Sequence, residues 1–121
     1  MLNEIEKYKV LGEQTRFRIV MVLLKASKEL CVCELEDILN VPQYNVSKHL
    51  SLLKHAGLLE ERKEGKLRMY KIKDDNQFNK ILFKSMDSIK AVSDETLKQD
   101  LVNLQKRLAL RKNDRVVVTR N

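Results

Sequence analysis

The sequence predicts a mainly α-helical domain carrying one small β-hairpin, and three observations carry that expectation. Apolar residues recur at three- and four-residue spacing through most of the chain. Only residues 58–72 read as two short extended runs around a glycine. Three Gly and one Pro in 121 residues are too few for the turns of an all-β architecture. A chain of this length buries roughly two-thirds of its unfolded surface as one domain, without a disulfide or structural metal. Hydrophobic residues make up 43% and charged residues 34%, which excludes a disordered chain. No apolar run nears the roughly 20 residues of a membrane span, and the opening residues lack a signal-peptide stretch. A cytoplasmic location without membrane contact is expected.

Leu2, Ile5, Tyr8 and Leu11 outline a first amphipathic helix closed by Gly12. Thr15 is the expected N-cap of a second helix reaching about Ala26. Phe17 and residues 19–24 are apolar nearly all round, which places this helix at the centre of the core. A short third helix turns Leu35, Ile38 and Leu39 inward and ends near Asn40. Pro42 opens a fourth helix that runs to about Ala56 and stops at Gly57. Residues 58–62 and 67–72 form the hairpin around a turn at 63–66.

From Asn76 the chain is helical again. Phe78, Ile81, Leu82, Met86 and Ile89 form one stripe, and Leu97, Leu101, Leu104 and Leu108 a second, with a break at Ser93-Asp94-Glu95. The second stripe exceeds what a small core requires. Pairing with a second chain is its expected use, so a homodimer formed by the terminal helices is expected; the alternative is one helix packed on its own domain. Residues 115–120 fit an edge strand or disorder equally. The expected organisation is a main domain at residues 1–92 that also carries the dimer contacts, a helical extension at 93–112 and a basic tail at 113–121.

The net charge of +7 is unevenly spread: residues 43–73 and 105–121 each carry +5, and residues 31–42 and 74–104 are net acidic. Two basic blocks separated by acidic stretches fit a polyanion footprint better than a uniformly solvated surface. The order helix, short helix, helix, hairpin over residues 15–72 is that of a winged helix-turn-helix. On the fourth helix Val46, Leu50 and Leu53 share one face, opposite Tyr44, Lys48, Ser51 and His55. A recognition helix needs this division, with an apolar face on the domain and short polar or basic groups for the major groove. Its first turns (Gln43, Tyr44, Asn45, Ser47, Lys48) would reach deepest into double-stranded operator DNA, with Lys54 further along. Arg62, Lys66 and Arg68 on the hairpin are the expected phosphate contacts, and Lys63 is left open. No Ser-His-Asp/Glu set, phosphate loop or metal-hydrolase spacing supports an enzyme.

Residues 11–19, Leu-Gly-Glu-Gln-Thr-Arg-Phe-Arg-Ile, resemble the L-x-D-P-T-R-x-x-I opening of the ArsR/SmtB family of metal-responsive repressors. Residues 43–59 are similar to the family's Q-P-T-V-S-x-H-L-x-x-L-x-x-A-G-L-V signature, and Gly65 to Tyr70 to its G-x-x-x-x-Y wing. Pro42 and Tyr44 depart from it, standing where the family has Ser and Pro. The resemblance implies a homodimeric repressor, dimerised by its first and fifth helices, that leaves its operator on binding ligand. It implies no cofactor for DNA binding itself.

Residues 29–35, Glu-Leu-Cys-Val-Cys-Glu-Leu, look like the E-L-C-V-C-D-L box of the family's arsenical repressors. Trivalent arsenic and antimony are thiophilic, and two thiolates two residues apart can chelate one ion, so Cys31 and Cys33 are the expected site for arsenite or antimonite. On a regular helix those positions point about 200° apart, so joint coordination is expected to deform the third helix. Arsenical repressors often add a third cysteine, whereas this chain has two in all. The competing readings are two buried apolar cysteines in a ligand-blind DNA-binding protein, and a redox or reactive-sulfur switch on the same pair. His49 is read as a packing and hydrogen-bonding residue. No His follows His55, which disfavours a zinc site on the last helix.

Overall fold

The structure, a computed structural model, describes residues 3–118. Leu2 and residues 119–121 of the tail lie outside the described residues. In chain order the elements are α1 (Asn3–Leu11), α2 (Gln14–Ala26), β1 (Leu30–Cys31), α3 (Val32–Leu39), α4 (Gln43–His55), β2 (Leu59–Glu64), β3 (Leu67–Ile72), α5 (Gln77–Asp87) and α6 (Glu95–Leu108). A 3-10 turn at Ala91–Ser93 makes the break before α6, and Asp94 caps that helix through the Leu97 N–H at 2.9 Å.

Residues 19–23 of α2 are all buried, as a helix apolar nearly all round must be, and the other elements surround it. Its N-cap is Glu13, not Thr15. The Glu13 carboxylate accepts from the N–H groups of Thr15 and Arg16, both at 3.0 Å, and so satisfies two donors that a threonine two residues later could not reach. The hairpin is also tighter than the expected turn at 63–66. Lys63 and Glu64 remain in β2, and the loop is Gly65-Lys66, with Gly65 at φ +61 in the left-handed region a two-residue hairpin loop requires.

A third strand is present that alternation did not reveal. β1 pairs antiparallel with β3, Leu30 opposite Tyr70 and Cys31 opposite Met69, giving the sheet order β1-β3-β2. Asn79, fully buried, ties the sheet to the helices. It accepts from Lys7 Nζ at 2.7 Å and donates to the carbonyls of Gly57 and Lys73 at 2.9 and 2.7 Å.

The leucine stripe of α6 is used inside the chain. Leu104 is fully buried, and Leu97, Leu101 and Leu108 pack against the core. Polar ties to α2 and α3 seat it there: Arg18 grips Asp100 at 2.8 and 2.9 Å, and Asn103 donates to the Ile38 carbonyl at 2.9 Å. The free face suggested by the spacing is therefore occupied. The stripe of α5 splits instead: Leu82 and Met86 are buried, Ile81 is 59% exposed, and Ile89, which falls just past the end of the helix, is also exposed. After α6 the chain turns through Asn113 and Asp114, both at positive φ, and a Lys112–Arg115 bridge closes the turn. No strand forms among the described residues of the tail.

Candidate nucleic-acid interface and thiol site

The faces of α4 divide as the sequence requires. Val46, Leu50 and Leu53 are buried; Gln43, Tyr44, Asn45, Ser47, Lys48, Ser51, Lys54 and His55 are exposed, Tyr44 at 79%. Pro42 supplies no side-chain cap. Its place is taken by Glu36 of α3, whose carboxylate accepts from the Gln43 N–H at 3.0 Å. A negative group at a helix N-terminus is favourable for the helix dipole as well as for the orphan donor. Nothing in the sequence adjacent to Pro42 signalled this cap, because its donor and acceptor lie seven residues apart on different helices.

His49 is partly buried on the inner edge of α4, and its Nδ1 lies 3.1 Å from Arg16 Nη1. A guanidinium only donates, so Nδ1 accepts. Burial holds His49 below the ordinary histidine value; the Glu13 carboxylate opposes this, and the Arg16 and Lys48 cations add to it. Arg16 also donates to the Val10 carbonyl at 2.7 Å, locking the end of α1 to α4. His55 Nδ1 lies 2.8 Å from the Ser51 carbonyl and belongs to the end of its own helix.

Strand parity separates the wing cations. Lys63 stands opposite Arg68, and Arg62 opposite Met69, so Arg62 is on the other face of the hairpin from Arg68. Arg62 is turned to Glu29 at 2.7 Å, away from α4. The structure thus puts Lys63, which the sequence left open, on the same face of the hairpin as Arg68, and Arg62 on the other face. Glu61 is a hub on the α4 side: it accepts from Tyr70 at 2.6 Å, Arg68 at 3.1 Å and Lys54 at 3.2 Å. These partners, Tyr70 foremost, hold its carboxyl down to about 2, while burial and Glu61 push the Tyr70 hydroxyl up to about 12.

The cysteines meet without deforming α3. Cys31 is not in the helix; it is the extended residue before it (φ −95, ψ 170), held by β1, while Cys33 lies in the first turn. The strand-to-helix corner brings the two Sγ atoms to 2.8 Å. The helical-wheel expectation of diverging thiols therefore fails, since it assumed both residues were helical. Cys31 is buried and Cys33 partly exposed. Donation from Cys31 to Cys33 and burial keep Cys31 protonated. The same hydrogen bond, followed by the Arg107 cation with its Nη2 at 4.0 Å, lowers Cys33 to about 7.

Two arginines of the C-terminal segment hold this corner. Arg111 donates to fully buried Glu34 at 2.7 and 2.8 Å and to the Glu29 carbonyl at 2.7 Å, while Glu34 accepts from the Cys31 N–H at 3.1 Å. Arg107 lies 2.8 Å from Asp37 and also donates to the Val117 carbonyl. Sequence reading missed both, as the partners that tie them to this corner, Cys33 and Asp37 for Arg107 and Glu29 and Glu34 for Arg111, lie more than 60 positions away. A groove of about 500 Å³ joins the thiols to the surface. Cys31, Cys33 and Glu36 form one wall; Gln43 and Ser47 of α4, with Lys66 and Arg68 of the wing, form the other. Among the described residues no cluster of three His, Cys, Asp or Glu side chains is placed to hold a metal ion. No helix among them is long and apolar enough to cross a membrane.

A short helix, a second helix with its polar face free and a two-stranded wing define a winged helix-turn-helix protein. Residues 13–61 match the bacterial regulatory protein, arsR family. The chain is 43% identical over 71 residues to the arsenical resistance operon repressor of Escherichia coli, a match covering 59% of this chain and 60% of that protein, less than two-thirds of its length. It is 31% identical over 90 residues to a putative arsenical resistance operon repressor of Halobacterium salinarum, covering 74% of this chain and 73% of that one. Among solved structures, reduced HlyU from Vibrio cholerae is similar with a TM-score of 0.61 and 27% identity, over 69% of this chain and 84% of that chain. The chain belongs to the arsR family of bacterial regulatory proteins.

Proposed function

We propose that this chain is a DNA-binding repressor that leaves its operator when trivalent arsenic or antimony binds Cys31 and Cys33. The observation that carries the reading is the groove in which two converged thiols 2.8 Å apart share walls with the recognition helix and the wing. The relatives named as arsenical resistance operon repressors support the choice of ligand. Gln43, Tyr44, Asn45, Ser47, Lys48 and Ser51 read the major groove, and Lys54, His55, Lys63, Lys66 and Arg68 meet phosphates. Arg62, paired with Glu29, contributes through the shape of the wing. DNA binding needs no cofactor.

The coupling runs along α3. Cys33 and Glu36 stand one turn apart, and Glu36 caps the recognition helix through Gln43. An ion drawn between the sulfurs shifts the first turn of α3, and with it the carboxylate that seats α4. Ligand must bind the DNA-free form more tightly, and coupling of about 1–3 kcal/mol lowers operator affinity roughly 5- to 150-fold. In this reading residues 1–92 bind DNA and dimerise, residues 93–112 close the thiol corner, and 113–121 form a basic tail. The exposed Ile5 and Tyr8 of α1, with Ile81 of α5 and Ile89 just past its end, supply the apolar face of a homodimer. Its two recognition helices sit one DNA turn apart, about 34–36 Å.

Fluorescence anisotropy on the promoter upstream of its own gene tests the proposal. Arsenite under a phosphine reductant releases the wild type, and Cys31→Ser and Cys33→Ser hold the operator in its presence. Release of the double-serine variant by arsenite refutes the site. The close approach of the thiols also favours a second reading, oxidation of the same pair. Release by a mild oxidant without metalloid, reversed by dithiothreitol, would identify it.

A further inference from the structure

Two sulfurs do not complete the coordination of trivalent arsenic. Arsenite, As(OH)3, condenses with two thiols to form two As–S bonds, releases two waters and keeps one As–OH. No other described side chain joins Cys31 and Cys33 to give a third soft donor. The group beside the pair is Arg107, only 3% exposed, with Nη2 at 4.0 Å from Cys33 Sγ. Its Nη1 is buried with no hydrogen-bond partner among the described residues, and its Nε meets Asp37 at 2.8 Å as an ion pair without hydrogen-bond alignment. Buried donors are nearly always met, and this unmet N–H belongs to the same guanidinium whose Nη2 reaches Cys33, so the group has donor capacity to spare next to the thiol pair.

We propose that Arg107 holds the third position of the bound metalloid: Cys31 and Cys33 supply two sulfurs, and the remaining arsenic-bound hydroxo oxygen accepts from the Arg107 guanidinium. The inference rests on the thiol-pair reading above and adds the residue that makes an incomplete dithiol site selective for a hydroxylated ion. That oxygen is bonded to an arsenic that is itself bonded to Cys33 Sγ, which brings it within reach of a donor already 4.0 Å from the sulfur. Arginine suits the task because it donates without accepting and stays charged. Asp37 holds the guanidinium from outside, and Val117 from the tail side.

The chemistry provides its own control. Phenylarsine oxide, C6H5As=O, condenses with two thiols to give two As–S bonds and one water, and its third position is then a carbon. It has no oxygen left for Arg107 to hold. The test measures the affinity of the full chain for arsenite and for phenylarsine oxide, with a phosphine reductant and no added thiol, in wild type, Arg107→Gln and Arg107→Lys. Arg107→Gln is expected to lose roughly 10- to 100-fold in arsenite affinity, the worth of a charge-assisted hydrogen bond. It keeps its affinity for phenylarsine oxide, and Arg107→Lys restores part of the arsenite affinity. Arsenic-edge X-ray absorption of the wild-type arsenite complex reads two sulfurs and one oxygen. Equal loss of both ligands in both variants, no loss of arsenite in either, or three sulfurs in the wild-type spectrum overturns the role of Arg107. If Arg107→Gln does not fold, Arg107→Lys and the wild-type spectrum decide. Failure of the wild type to bind phenylarsine oxide is a separate result: it removes the thiol-pair reading itself, and this inference with it.

Discussion

Replacing Arg111 by Met should be among the most damaging single changes available in this chain. Its guanidinium is nearly buried and makes two bonds of 2.7 and 2.8 Å to the fully buried Glu34 carboxylate. Without it, that carboxylate keeps only the Cys31 N–H at 3.1 Å and is left as an uncompensated buried charge, which costs about 3–5 kcal/mol. Domain stabilities are about 5–15 kcal/mol, so this is a large share. With a urea slope of about 1.5 kcal/mol/M, a loss of about 3 kcal/mol lowers the midpoint by about 2 M. Glu34→Gln is milder, at about 1–3 kcal/mol, because the amide still accepts from Cys31 and Arg111 retains the Glu29 carbonyl. The double variant no longer buries a lone charge, so it should be less destabilised than the sum of the singles by about 1–3 kcal/mol. Urea titrations followed by helical circular dichroism measure all three proteins. A cost below about 1 kcal/mol for Arg111→Met, or simple additivity in the cycle, would show that the pair does not hold the thiol corner.

Three further outcomes follow from other contacts. Asn79→Ala removes three side-chain hydrogen bonds and strands buried Lys7 and two carbonyls, so a loss of about 2–4 kcal/mol is expected in the same urea assay; a loss within about 0.5 kcal/mol contradicts the bridge. Glu61→Gln frees Lys54 and Arg68 from a carboxylate, so DNA affinity should rise and the salt slope steepen by about 0.9 for each added phosphate contact; an unchanged slope argues against both as contacts. Cys33 is lowered from 9.0 to about 7, so its thiolate predominates above about pH 7 in the folded chain. Alkylation by iodoacetamide should therefore rise with a midpoint near 7, whereas Cys31→Ala, which removes the largest cause, should move that midpoint up. A wild-type midpoint near 9 refutes the hydrogen-bonded pair.

Local pattern determined much of this protein. The apolar run of α2 required a central helix, and the split of Val46, Leu50 and Leu53 from Tyr44, Lys48 and Ser51 required a helix held on one face only. Glycine at 65 and the flanking extended runs marked the wing, and two cysteines in one short box marked the thiol site. These features are periodic or contiguous, so each is visible within a window of a few residues.

What only the tertiary structure decided depends on residues far apart in the chain. A two-residue strand has no period to read, yet β1 is what takes Cys31 out of the helix and brings its sulfur to Cys33. Register on β3, not charge, sorts Arg62 from Arg68, because side-chain direction alternates with strand position. Spacing showed that α6 carries a leucine stripe but not what covers it; the packing of α6 on α2 and α3 supplies the cover. The acidic caps and buried arginines have the same origin. Glu36 reaches Gln43, Arg107 reaches Cys33 and Arg111 reaches Glu34 only once the helices are packed, and a side-chain contact between elements leaves no periodic trace in the sequence of either.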